Sequence, residues 1–78
     1  MTNIEKYNEI FITRFQPAEI LLEKLTYQSV QLWDSVGHMG LIAELEECFD
    51  IMMDTDDIID FSSYEKGKEI LKKYDIIL

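Results

Sequence analysis

Along residues 3–15, Ile4, Tyr7, Phe11 and Phe15 recur at spacings of three and four, with Ile10 and Ile12 beside them. That period gathers apolar side chains on one face of a helix. It predicts a first helix over 3–15, with Thr2 or Asn3 placed to cap it. The order breaks over residues 16–34. Pro17 can open a turn of helix that Ala18 to Leu25 extends. Thr26 to Trp33 then mixes β-branched, aromatic and amide residues with no clean period. This predicts a long structured connection, anchored by Leu25, Val30, Leu32 and Trp33. Connections of that length in a small domain are usually functional or packed by their own side chains.

The second helix is the plainest. Ser35 or Asp34 can cap it through a side-chain oxygen. Val36, Met39, Ile42, Leu45 and Phe49 form its apolar stripe, widened by Leu41 and Cys48. Cys48 is expected to be a small buried hydrophobe. Gly37 and Gly40 each cost about 1 kcal/mol against alanine inside a helix. That cost points to another group approaching closely there, or to local flexibility. Asp54-Thr55-Asp56-Asp57 opens a short helix holding Ile58, Ile59 and Phe61. Ser62 and Glu65 have the spacing of a capping box for the last helix. Tyr64, Ile70, Leu71 and Tyr74 supply its apolar face, and Lys72 and Lys73 suit the negative end of its dipole. The sum is an all-α chain: an irregular four-helix bundle of three main helices, one short helix and a long loop between the first two.

Length and composition narrow this further. With 78 residues, the chain is read as one domain over 1–78. An apolar content of 47% is too high for a disordered chain. Sixteen acids against seven bases give a net charge of −9. A nucleic-acid backbone or an anionic membrane surface needs the opposite sign. A positively charged protein is the natural complement, and the charge favours a monomer. No lysine or arginine occurs from Leu25 through Glu65, and residues 44–60 carry eight acids. A single acid there is an ordinary solvated side chain. An unbroken set repels itself, and so suggests attraction to a basic partner. The lone Cys48 forms no internal disulfide, which in a domain this small favours a reducing, cytoplasmic setting. No basic stretch leads into an apolar one at the N-terminus, and apolar runs reach only three residues, far from the roughly 20 that span a bilayer.

Few arrangements of chemistry survive inspection. Asp54 to Glu65 has the length of a calcium loop, but Ile58 and Ile59 stand where an oxygen ligand and a glycine are needed. One histidine and one cysteine ten residues apart make no metal site. Ser35 and His38 sit within a turn of each other, yet a hydrolase also needs an oxyanion hole and a substrate pocket. His38 is therefore expected at the surface or an edge. Ser35 itself has two readings. It is a plain N-cap, or it carries a phosphate group that the helix amides and dipole stabilise.

At this point a resemblance enters. Asp34-Ser35-Val36-Gly37-His38-Met39 looks like the Asp-Ser-Leu-x-x-(Met/Val) motif of acyl carrier proteins. The likeness continues through Gly40 to Asp50, with its glutamate pair and Phe-Asp ending, into the acidic short helix and the Ser62-Ser63 opening of the last one. The stretch from Trp33 to Met39 is more similar to stand-alone carriers of specialised pathways. The resemblance implies that Ser35, beside Asp34, bears 4′-phosphopantetheine, transferred from coenzyme A by a phosphopantetheinyl transferase. The arm would carry acyl groups as thioesters, and the chain would have no catalysis of its own. Trp33, Val36 and Met39 would surround the attachment point, and acyl-activating ligases, acyltransferases and synthases with basic patches would dock on Val36, Met39, Glu44, Glu47 and Asp50. Met39, Met52 and Met53 would let the bundle open around an apolar cargo. An aminoacyl carrier, D-alanyl or peptidyl, is the neighbouring alternative. A non-acylated acidic helical adaptor is the alternative of another class.

Overall fold

The computed structural model describes residues 1–17 and 21–78. Among these residues four α-helices follow in order: α1 (Asn3–Phe15), α2 (Ser35–Phe49), α3 (Thr55–Asp60) and α4 (Tyr64–Lys72). Among the described residues there is no β-strand, and no helix is long and apolar enough to cross a membrane. The extension of a helix from Ala18 falls partly outside the described residues. So does the turn that Pro17 would open, and within the described part Leu22–Lys24 is a single 3₁₀ turn.

α1 matches its sequence pattern. The Thr2 hydroxyl accepts from the Glu5 amide, and the Glu5 carboxylate accepts from the Thr2 amide, so two orphan donors are satisfied reciprocally. Donation from the Thr2 amide, and from the Thr2 hydroxyl, holds the Glu5 carboxyl below its ordinary pKa. Tyr7, Ile10, Phe11 and Phe15 are buried. Phe11 meets Tyr7, Phe15, Trp33, Phe61 and Tyr64, with ring centroids 4.9–6.4 Å apart. Fully burying a side chain of this size stabilises by about 1.5–3 kcal/mol. The core is therefore an aromatic cluster fed by α1, the connection, α3 and α4.

α2 departs from its expected stripe. Leu41, Ile42 and Leu45 are the buried residues, whereas Val36 is 79% exposed and Met39 is 55% exposed. Helical geometry explains the error. Each step of three residues falls 60° short of a full turn, so three such steps carry Val36 and Leu45 to opposite sides. Cys48, expected inside, is exposed.

The connection is held by its backbone as well as its side chains. Leu25 and Trp33 are fully buried and Val30 is half-buried, but Leu32 is 49% exposed and anchors nothing through its side chain. The Tyr27 amide donates to the Ser62 carbonyl, and the Tyr64 amide donates to the Leu25 carbonyl. Those two bonds lay the connection along the entry to α4. They also move the α4 cap by one residue. Ser63, not Ser62, is the N-cap, and its hydroxyl accepts from the Lys66 amide.

α3 is too short to hold itself. Its Asp57 carboxylate is buried and accepts from Lys73 Nζ and from the Tyr74 hydroxyl, each at 2.5 Å. Tyr74 in turn accepts from the Asp54 amide. This polar latch ties the start and the middle of α3 to the residues just past α4. The Lys73 and Tyr74 hydrogen bonds hold the Asp57 carboxyl below its ordinary pKa, and Asp57 raises the pKa of both partners. Because folding lowers the pKa of Asp57, its stabilisation is complete above the ordinary carboxylate range and is lost as pH falls through the lowered value. The expected outcome is a denaturation midpoint that drops as the solution is acidified below about pH 4. Asp57→Asn lowers the midpoint at neutral pH and flattens the acid limb, as urea titrations at several pH values would show.

Candidate functional site

Asp34 caps α2, accepting from the Gly37 amide at 2.8 Å. The sequence left that role open between Asp34 and Ser35. With Asp34 in place, Ser35 becomes the first residue of the helix, and its exposed hydroxyl makes no hydrogen bond within the described residues. Gly37 is required here. A Cβ at that position would collide with the Leu32 carbonyl oxygen, part of the backbone of the incoming loop. The loop can thus turn tightly into the helix and leave Ser35 outermost.

Beneath Ser35 lies an apolar pocket of about 280 Å³ between α2, α3 and the connection. Ser35 and Met39 form one wall, and Ile58, Ile59 and Phe61 another. Tyr27, His38 and Ser62 complete it. Its size is close to the lower end for ligand pockets. Of the three methionines expected to let the bundle open around a cargo, Met39 alone lines this pocket. Met53 is buried elsewhere in the core, and Met52 is 87% exposed.

His38 is a wall of this pocket and a strut of the fold, rather than an edge residue. Its Nδ1 accepts from Trp33 Nε1 at 3.0 Å, and its Nε2 donates to the Ile58 carbonyl at 2.8 Å. With Trp33 donating to one nitrogen, the neutral ring carries its proton on the other. The ring stacks near Trp33 and meets Tyr27 and Phe61 edge-on. It therefore joins the connection, α2 and α3 one turn beyond Ser35. Both ring nitrogens are engaged by Trp33 and Ile58, so neither is hydrogen-bonded to Ser35. Only the tally of polar partners needed by a buried tryptophan could have revealed this role from the sequence.

The proposed docking acids separate in space and in use. Val36, Met39, Glu47 and Asp50 are exposed around and beyond Ser35. Trp33 is fully buried and presents nothing to a partner. Glu44 is half-buried and accepts from Arg14 Nε at 2.6 Å. Glu46 accepts from the Met53 amide, and Asp57 belongs to the latch. Part of the acidic run is thus structural, and Glu47, Asp50, Asp54, Asp56 and Asp60 remain exposed.

His38→Ala removes the acceptor of a buried indole N–H. The expected loss is about 1–3 kcal/mol in urea denaturation, with a change in Trp33 fluorescence in the native baseline.

No family model, curated protein or solved structure matches this chain.

Proposed function

We propose that the chain is a carrier protein that holds acyl intermediates as thioesters on a 4′-phosphopantetheine arm attached to Ser35. The observation that carries this reading is the freedom of the Ser35 hydroxyl. Asp34 performs the capping, so the serine at the helix start is exposed and has no structural task. An attached phosphate diester would lie at the positive end of α2, where the dipole favours negative charge. The transfer is a displacement at phosphorus. The Ser35 oxygen bonds to the β-phosphorus of coenzyme A, its proton passes to a base of the transferase, and 3′,5′-adenosine bisphosphate departs.

Two surroundings support the same reading. The pocket beside Ser35 is lined mainly by apolar side chains, as sheltering a short acyl chain requires. Val36 and Met39 expose an apolar patch next to the serine, with Glu47 and Asp50 further along α2. That is the surface a transferase, ligase or synthase with a basic rim would use. An aminoacyl cargo would use the same attachment, and the enzyme that loads the arm would distinguish it.

Incubation with coenzyme A and a broad-specificity phosphopantetheinyl transferase is expected to add the mass of one phosphopantetheine. Ser35→Ala should take none. Because Ser35 is not the cap, that variant should unfold within about 0.5 kcal/mol of the parent. A folded parent that gains no mass would overturn the carrier reading in favour of an acidic adaptor.

A further inference from the structure

The exposed side of α2 has an asymmetry that stability does not explain. Val36, Gly40, Ala43 and Glu47 follow one another along the helix at spacings of four, three and four, and Glu44 lies one turn beyond Gly40. Arg14 reaches this face from α1. Its Nε donates to Glu44, and its guanidinium occupies the space a side chain at position 40 would need. A Cβ on Gly40 would stand 2.5 Å from Nη1. With no base between Leu25 and Glu65, the cation has to come from another element. The pair is only partly buried, and ion pairs of that kind return little stability. A glycine inside a helix gives up a comparable amount. Gain and cost roughly cancel, so the arrangement needs another reason.

We infer that Arg14 is a specificity-determining residue of the docking face, withholding the Glu44 carboxylate from partners, and that Gly40 is what lets it do so. This rests on the carrier reading above. A free carboxylate attracts a partner's basic rim, whereas one already paired presents a neutral patch with a cation on it. The acidic end of the face is then Glu47 and Asp50. A partner whose lysines or arginines lie over Glu44 is repelled by Arg14, and one that engages only the far end is admitted. Discrimination of this kind works through an unfavourable contact with the wrong partner.

The test is the rate of arm transfer by a phosphopantetheinyl transferase with a basic docking rim, followed by intact mass at low and high salt. Arg14→Gln is expected to raise kcat/KM by about two- to five-fold at low salt, with the gain fading at high salt. Gly40→Ala displaces the guanidinium without changing net charge, and should act in the same direction. Glu44→Gln should slow the Arg14→Gln form more than it slows the parent. An unchanged or lower rate for Arg14→Gln overturns the inference. So does a gain that survives in the Arg14→Gln, Glu44→Gln double variant, or a Gly40→Ala form that keeps the parent rate. Absence of transfer to every folded form removes the carrier reading and this inference with it.

Discussion

A buried indole with one polar atom governs the region around Ser35. Trp33 is fully enclosed, stacks on Phe15 at 4.8 Å and meets Phe11 edge-on. Its N–H cannot be left without an acceptor in that setting, and His38 Nδ1 supplies one. The rest follows from that bond. His38 must lie on the inner side of α2, which sets the rotation of the helix. Its other nitrogen then reaches the Ile58 carbonyl and fixes α3 alongside. Asp34 and Ser35, next in sequence to the buried ring, are carried to the surface at the helix start. One hydrogen bond thus orients two helices and the loop between α1 and α2.

Charge is divided with comparable economy. The chain carries nine more acids than bases, yet its carboxylates do different things. Asp57 is buried and serves as the acceptor that holds α3 to α4 through Lys73 and Tyr74. Glu46 takes the amide of Met53 as the chain leaves α2. Asp50 ends α2 in the left-handed conformation, its amide returning to the Glu46 carbonyl. The acids still facing solvent after these tasks are what give the molecule its negative exterior, and a basic surface would meet those first.

The helices were legible because burial of an aromatic face leaves a strong period in α1, and because Tyr64, Ile70 and Leu71 do the same in α4. The buried face of α2 is Leu41, Ile42 and Leu45, not the stripe its sequence suggests. A run spaced by three looks continuous on paper, but it winds around the helix, and Val36 and Met39 finish in solvent. Two glycines in α2 did signal close approaches, from the Leu32 carbonyl at Gly37 and from Arg14 at Gly40. Which atoms approached could not be read, because both come from distant or irregular segments. The same limit hid the Asp57 latch and the His38 strut. Each joins residues 16 or 20 positions apart, or spans a loop without periodicity. The place of Ser35 at a helix start, and then the motif, mark it as a candidate in the sequence, while the choice of Asp34 as cap depends on the path of the loop.

That the cap and the outermost hydroxyl are adjacent but separate residues bears on how such a chain can change. Folding makes its demands on Asp34, Gly37 and the buried face of α2. Ser35, Val36 and Met39 answer to almost none of them. Mutations at these outward positions are therefore close to invisible to selection for stability, and are judged by whatever meets the surface. Lineages could exchange one set of partners for another by drifting through the codons that flank Ser35, with the scaffold beneath them unaltered.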